Sequence, residues 1–208
     1  MQQLPTVQEL KNVLVVRGEG SLGDAILSSV CYRALKKSNP QLRITVAAFA
    51  SAVPYLQALP TVDEVYLLPI KRVLRPNQRW PSLLWHAFKL RRRRFDLVLD
   101  SSCKNFYNWR LFKWIIGGNR VFDPFTRPGD FTPEVHVSAR EKEMACRLGA
   151  HDADNSYDLP VPPAAQVKWN DFASARLSGG YVLLNPFGSV PQRCLDKAAL
   201  QTVLDTLL

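Results

Sequence analysis

The segment from Gly18 to Asp24, GEGSLGD, combines three glycines with a carboxylate and is the stretch of this chain best suited to chemistry. Glycines allow tight backbone turns and close approach by a ligand. A carboxylate on the wall of such a crevice can accept a proton from a bound hydroxyl group. The segment therefore predicts a ligand-binding turn in which Asp24 is the general base.

The flanking residues predict that this turn joins a buried strand to an amphipathic helix. Val13 to Val16 form a continuous apolar run, which is typical of a strand covered on both faces in a parallel sheet. Apolar residues then recur near helical spacing from Asp24 to Leu35. Asp24 is thus predicted in the first turn of a helix, where the helix dipole and free backbone N–H groups favour a negative charge.

Two other interpretations of this turn have to be weighed. An acid in the first turn of a helix is a common stabiliser worth only ~0.3–1 kcal/mol. Asp24, however, also lies at the carboxyl end of the first predicted strand, on a glycine-lined crevice wall where a ligand can bind. The pattern from Gly18 to Gly23 is also a literal GxGxxG, typical of dinucleotide binding. That interpretation lacks its ribose-binding acid, because no Asp or Glu occurs between Asp24 and Asp63.

Strand-like and helix-like segments alternate along the rest of the first 151 residues. The further predicted strands are Arg43 to Ala50, Val62 to Leu68, Phe95 to Asp100 and Arg120 to Phe125. The further predicted helices are Val53 to Leu59, Pro81 to Arg94, with Pro81 in its first turn, Asn108 to Ile116 and Ser138 to Leu148. This alternation predicts an α/β fold, a Rossmann-like doubly wound parallel sheet with its ligand crevice at the carboxyl ends of the strands.

The second part of the chain repeats the opening pattern once. Residues 152–165 contain three prolines and are predicted to be a linker. A strand from Tyr181 to Leu184, a turn, and a helix from Leu195 onward then follow. We therefore expect residues 1–151 to form one domain and residues 166–208 to be the first βα unit of an incomplete second domain.

The chain carries a formal net charge of +9 at pH 7, and the excess of positive charge is concentrated. No acid occurs between Glu64 and Asp96, a block that includes the run Arg91 to Arg94. Such a block predicts an anionic partner, and nucleic acid, a membrane and a phosphorylated substrate all satisfy it. Trp80, Trp85 and Phe88 interrupt the block. The alternative to an anionic partner is that the cations form a solvated helix face and these aromatic residues lie in the core.

Other classes of protein are disfavoured by composition. The chain has no run of about 18 apolar residues that would span a bilayer and no secretion signal at its start, which predicts a cytoplasmic protein. The three histidines suggest no metal site, and the four cysteines, expected to be reduced and mostly in the core, form no CxxC pair.

Four segments together resemble glycosyltransferase family 9, the ADP-heptose:lipopolysaccharide heptosyltransferases. They are VLVVRGEGSLGDAILSSVCYRALKKSNPQLRITVAA, LPTVDEVYLL, FDLVLDSS and YVLLNPFGSVPQRCL. The resemblance implies the N-terminal, acceptor-binding half of a GT-B glycosyltransferase, followed by the start of the nucleotide-sugar half. It also implies an inverting transfer that needs no essential metal and no cofactor, with an ADP-sugar as donor.

The resemblance also implies roles for individual residues. Asp24 would deprotonate the acceptor hydroxyl, while Ser21 and Gly23 would shape the loop around the reacting sugars. On the donor side, Gly188, Ser189 and Arg193 would face the phosphates, where a cation offsets the charge of the departing diphosphate.

The acceptor implied by the resemblance is the phosphorylated inner core of lipopolysaccharide, at the cytoplasmic face of the inner membrane. Cations and an amide that follow predicted strands are the acceptor-binding candidates: Lys71, Arg72, Arg75, Lys104 and Asn105. Arg91 to Arg94 are interpreted as a patch close to the membrane. The rival hypothesis is a non-catalytic Rossmann-like module that binds an anionic glycolipid or membrane surface. No nucleic-acid-binding motif is present.

Overall fold

The computed structural model describes residues 4–17, 22–68, 76–101, 107–117, 121–122, 136–151, 156–177 and 196–207. The chain divides into two compact units, Met1–Pro160 and Val161–Leu208. Among the residues described, no helix is long and apolar enough to cross a bilayer.

The first unit is a parallel sheet whose strands alternate with helices. The strands are β1 Asn12–Val16, β2 Arg43–Ala48, β3 Glu64–Leu67, β4 Leu97–Asp100 and β5 Val121–Phe122. The helices are α1 Leu22–Ser38, α2 Val53–Ala58, α3 Pro76–Arg91, α4 Tyr107–Gly117 and α5 Val137–Arg147. The five strands lie in the order β3-β2-β1-β4-β5 and all pairings are parallel. The predicted Rossmann-like doubly wound sheet is confirmed.

Strand β1 lies at the centre of the sheet, where the strand order reverses. Val16, its last residue, pairs with Ala47 of β2 on one side and with Asp100 of β4 on the other. In open parallel sheets the ligand crevice lies at such a switch point, outside the carboxyl ends of the strands. The glycine-rich segment follows β1 in the sequence at this point.

The side chains of β1 alternate between two cores. Val13 and Val15 face a core built with α1, α2 and α5, whereas Leu14 and Val16 face a core built with α3 and α4. Because helices cover both faces, all four residues are fully buried. This burial explains why the strand is a continuous apolar run rather than an alternating one.

Aspartates just before two strands fix the amino edge of the sheet. Asp63 Oδ2 accepts a hydrogen bond from the Ile44 amide at 2.7 Å, at the start of β2. Asp96 Oδ2 accepts the Lys11 and Asn12 amides at 2.9 and 2.8 Å, at the start of β1. Each carboxylate therefore ties the entrance of its own strand to the neighbouring strand and helps to set the register.

Helix α3 differs from its prediction in position and in burial. It begins at Pro76 rather than Pro81, so the first-position proline is Pro76, and Pro81 lies inside the helix. It ends at Arg91, and Arg94, three residues later, has a left-handed conformation with φ 53°. The expectation that Trp85 and Phe88 lie in the core is also wrong, since Leu83, Ala87 and Leu90 take the buried side of the helix.

The second unit contains two described helices, α6 Pro163–Arg176 and α7 Lys197–Leu207. Helix α6 was not predicted, and its first three residues lie within the predicted linker. Helix α7 lies within the helix predicted from Leu195 onward. The predicted strand from Tyr181 to Leu184 and the turn after it lie outside the described residues.

We predict that two glycines resist substitution for different reasons. A Cβ on Gly117, at the end of α4, would lie 2.8 Å from Val98 Cγ2, whereas a Cβ on Gly149 would have nothing within 4 Å. Gly117→Ala should therefore lose about 1–3 kcal/mol of unfolding free energy through overpacking. Gly149→Ala should lose ~1–2 kcal/mol, because Gly149 has φ +75°.

Urea denaturation followed by circular dichroism measures both losses of unfolding free energy. Substitution by asparagine distinguishes their two causes. Gly149→Asn should recover part of the loss, since asparagine tolerates the left-handed conformation. Gly117→Asn should be worse than Gly117→Ala. A Gly117→Ala variant as stable as the wild type would contradict the packing described for α4.

Candidate functional site

Asp24 lies in the first turn of α1, as the sequence predicted. Its side chain is partly exposed, and the hydroxyl oxygen of Ser28, one turn later in α1, lies 3.2 Å from the Asp24 carbonyl oxygen. Gly23 precedes it in the same turn and is exposed. Both residues therefore lie at the start of the helix that follows β1 in the chain, as the sequence predicts.

The other predicted site residues lie outside the part of the chain that the structure describes. On the acceptor side these are Ser21, Lys71, Arg72, Arg75, Lys104 and Asn105. On the donor side they are Gly188, Ser189 and Arg193. Their roles stay predictions.

Four buried polar side chains meet one helical turn after Asp24, at Ser28. Arg17 Nη1 lies 3.1 Å from Glu141 Oε1 and donates to Ser101 Oγ at 2.8 Å. Ser28 Oγ and Ser101 Oγ donate to the same Glu141 oxygen at 2.9 and 2.5 Å. All four residues are at most 2% exposed. We call Arg17, Ser28, Ser101 and Glu141 the buried network.

The buried network joins four separate elements at the switch point of the sheet. The Arg17 amide bonds the Ala47 carbonyl at 3.0 Å and the Ser101 amide bonds the Val16 carbonyl at 3.2 Å, so both residues extend their strands by one position. Strand alternation turns both side chains toward α1 and α5, which supply Ser28 and Glu141. The network therefore locks the exits of β1 and β4 to the helix that carries Asp24.

The charges in the buried network are compensated locally. Burial raises the pKa of the Glu141 carboxyl, and the Arg17 guanidinium and the hydroxyls of Ser101 and Ser28 offset part of that effect. Glu141 Oε2 is buried and has no hydrogen-bond partner among the described residues. A buried carboxylate of this kind depends on its arginine, since an isolated buried charge is very unfavourable.

A second buried ion pair lies on the opposite face of the same strand exit. Lys113 of α4 pairs with Asp100, the last residue of β4, and the two residues are 4% and 1% exposed. Asp100 points to the α3 and α4 side, whereas the next residue, Ser101, points to the α1 and α5 side. The carboxyl end of β4 is therefore anchored by polar contacts on both faces.

Sequence reasoning missed Arg17, Ser28, Lys113 and Glu141. The usable signal was that a charged or hydroxyl residue directly follows each apolar central strand, as Arg17 follows VLVV and Ser101 follows LVLD. No such signal marks Glu141, which stands between Arg140 and Lys142 and resembles a solvated helix position. Only the packing of α5 against α1 places it in the interior.

The cysteines contribute no nucleophile to the described part of this site. Burial raises the pKa of the Cys31 thiol well above its usual value, which keeps the thiol protonated and unreactive. Cys146 is exposed on α5, so it is not one of the cysteines that lie in the core. Within the described ranges, no cluster of three or more His, Cys, Asp or Glu side chains could hold a metal ion.

A groove of about 310 Å³ lies at the other end of the sheet. It is lined by residues at the strand entrances and after α3, namely Asn12, Arg43, Thr45, Glu64, Arg93 and Phe95. Arg43 and Arg93 both contact the Glu64 carboxylate there. Because this groove is at the amino edge, far from Asp24 along every strand, it does not belong to the candidate site.

We predict strong energetic coupling between Arg17 and Glu141. Glu141→Leu alone should lose about 3–5 kcal/mol of unfolding free energy, because it leaves the Arg17 charge buried without its carboxylate. The double variant Arg17→Met with Glu141→Leu should lose clearly less than the sum of the single losses. Urea denaturation of the four proteins gives the coupling energy.

The matched control is the pair formed by Glu143 and Arg147, which is on the same helix at 2.9 Å but exposed. Its coupling should be below about 1 kcal/mol. Additive losses at Arg17 and Glu141 would show that the buried network does not hold these elements together.

Comparison with known proteins identifies the fold. No family model and no curated protein matches the sequence. Among solved structures, a glycosyl transferase family 9 protein from Veillonella parvula is 18% identical, with a TM-score of 0.74 over 99% of this chain and 61% of its own. E. coli ADP-heptose LPS heptosyltransferase II is 20% identical, with a TM-score of 0.53 over 79% of this chain and 51% of its own.

An E. coli heptosyltransferase solved with ADP is 10% identical, with a TM-score of 0.55 over 94% of this chain and 64% of its own. The chain thus spans about half to two thirds of the length of these proteins. It has the fold of the corresponding part of glycosyl transferase family 9 structures.

Proposed function

We propose that this protein is a glycosyltransferase of the heptosyltransferase type, with Asp24 as its general base. The observation that carries the proposal is the position of Asp24, in the first turn of the helix that leaves the central strand at the switch point. In this fold a carboxylate at that position faces the crevice where ligands bind. The similarity to glycosyl transferase family 9 structures supports the same reaction class.

The proposed reaction is a single displacement with inversion at the sugar. The Asp24 carboxylate accepts the proton of the acceptor hydroxyl while the hydroxyl oxygen attacks the anomeric carbon. The new glycosidic bond forms as the bond from the anomeric carbon to the diphosphate oxygen breaks. The nucleoside diphosphate leaves with that electron pair, and its charge requires cations or helix N-termini on the donor side.

The buried network would supply the rigidity that this displacement requires. Transfer requires the base to be held close to the productive geometry, and misplacement by about 1 Å can cost about 100-fold in rate. Ser28 Oγ lies between Glu141 Oε1 and the Asp24 carbonyl oxygen, and Arg17 directly precedes the glycine-rich segment in the sequence. These residues are positioning residues that do not contact substrate.

The substrates follow from the resemblance and from charge. ADP or an ADP-sugar is the proposed nucleotide, with Gly188, Ser189 and Arg193 as its proposed contacts. The proposed acceptor is the phosphorylated core of lipopolysaccharide, contacted by Lys71, Arg72, Arg75, Lys104 and Asn105. Ser21 and Gly23 would shape the loop between the two sugars. The proposed location is the cytoplasmic face of the inner membrane, where the protein would be peripherally associated.

We predict that Asp24→Asn abolishes transfer without loss of acceptor binding. Loss of a general base typically lowers the rate by about 10²–10⁴-fold. The measurement is turnover of ADP-heptose on a core oligosaccharide by the full-length gene product, with product mass as readout. Glu143→Gln, at an exposed acid of α5, is the control and should keep full turnover. Near-normal turnover by Asp24→Asn would remove the proposed mechanism.

We predict that Ser28→Ala lowers kcat about tenfold or more while KM stays near the wild-type value, because the base is then poorly held. Ser29→Ala is the matched control, since Ser29 is also buried on α1 and its Oγ donates to the Ile26 carbonyl at 2.7 Å. Both variants should lose similar stability. An equal fall of kcat in both would assign the effect to helix stability alone.

A further inference from the structure

The outward side of α3 carries large apolar residues next to cations. Trp85, Phe88 and Lys89 lie at helical spacing and share one side of α3. Arg92 directly follows the helix, and its amide donates to the Phe88 carbonyl at 3.3 Å. Trp85 is 59% exposed and Phe88 is 55% exposed. Lys89 Nζ lies 5.0 Å from the centroid of the Trp85 ring, so cation and aromatic occupy the same patch.

Helix α4 continues this patch. Leu111 and Trp114 are three residues apart and are 39% and 61% exposed. Helices α3 and α4 pack against each other and bury their inner sides in the same core, on one face of the sheet. Their outer sides therefore face the same way. We call Trp85, Phe88, Lys89, Arg92, Leu111 and Trp114 the outer face.

The charge of these two helices has a single sign. Neither α3 nor α4 contains an aspartate or glutamate. Two members of the arginine run are used within the fold: Arg91 Nη1 donates to the Ile115 carbonyl at 2.8 Å, and Arg93 pairs with Glu64. Lys89 and Arg92 stand instead on the outer face.

We propose that the outer face docks onto an anionic phospholipid bilayer. Tryptophan and phenylalanine favour the interface between headgroups and acyl chains, and nearby lysines and arginines bind lipid phosphates. Each cation near an anionic leaflet contributes about 1 kcal/mol. Two adjacent helices lying side by side present a broad surface with no acid to repel the lipid. The inference deepens the proposed function by naming the surface that meets the membrane, but its test does not depend on Asp24.

The experiment is co-sedimentation of the protein with vesicles. One set contains an equimolar mixture of phosphatidylglycerol and phosphatidylcholine, and the other contains phosphatidylcholine alone. The wild type should bind the anionic set, and increasing salt should weaken that binding. The triple variant Trp85→Ser, Phe88→Ser, Trp114→Ser should bind at least about tenfold more weakly.

Three further variants complete the test. Leu4→Ser with Tyr157→Ser removes exposed apolar side chains from outside the outer face and should bind like the wild type. Lys89→Gln with Arg92→Gln should weaken binding and flatten its salt dependence, because fewer counterions are exchanged. Asp24→Asn should bind vesicles normally, so a failed transferase proposal and a failed docking proposal give different results.

Three outcomes would overturn the proposal. The first is a wild-type protein that does not sediment with the anionic vesicles. The second is equal binding by the wild type and the triple variant. The third is concentration-dependent self-association that the triple variant abolishes, which would assign the outer face to a second copy of the chain.

Discussion

The contact between Arg17 and Glu141 is the constraint on which the carboxyl edge of the sheet depends. The two residues are 124 positions apart in sequence and both are buried. Burying either charge alone would be prohibitive, so α5 must close over the end of β1 with its carboxylate facing the guanidinium. Ser28 and Ser101 add hydroxyl donors to the same carboxylate oxygen. The contacts of one carboxylate oxygen thus tie together β1, β4, α1 and α5.

The two ends of the sheet are held by different kinds of contact. At the amino edge, Asp63 and Asp96 bind backbone amides and fix the register of the strands. At the carboxyl edge, buried side chains hold the strand exits, and Asp24 stands above them in a partly exposed position. A proton-transfer step requires a carboxylate that is held rigidly by the residues packed around it.

Much of the fold could be predicted from periodicity and turn residues. Three features indicate the local structure correctly: the apolar run of β1, the helical spacing of α1 and the glycine after α5. In each case tertiary packing agrees with the local preference. The limits of α3 could not be predicted in this way, because Pro76 and Pro81 are both acceptable near a helix start and sequence alone favoured the wrong one. The exposure of Trp85 and Phe88 depends on which side of α3 meets the sheet, and aromatic residues are ordinarily expected inside.

Only the part of the candidate site that is formed by residues close together in the sequence could be predicted. Asp24 follows its glycines directly, so its place in the first turn of α1 could be inferred from the sequence. Glu141 joins the same candidate site through its contact with Arg17, which is 124 positions away in the sequence. Its neighbours in the sequence are charged, so nothing local indicates that it is buried. Helix α6 has no described buried residue, and so no apolar stripe marked it in the sequence.

The most direct test of the central claim, that an acceptor binds at the carboxyl edge beside Asp24, is a titration followed by amide resonances. The labelled protein would be titrated with a phosphorylated core oligosaccharide of lipopolysaccharide. We expect the largest shifts at the strand exits and the start of α1, at Arg17, Ala25 and Ser101. Shifts confined to Asn12, Arg43 and Glu64 would place the ligand in the amino-edge groove and contradict the account.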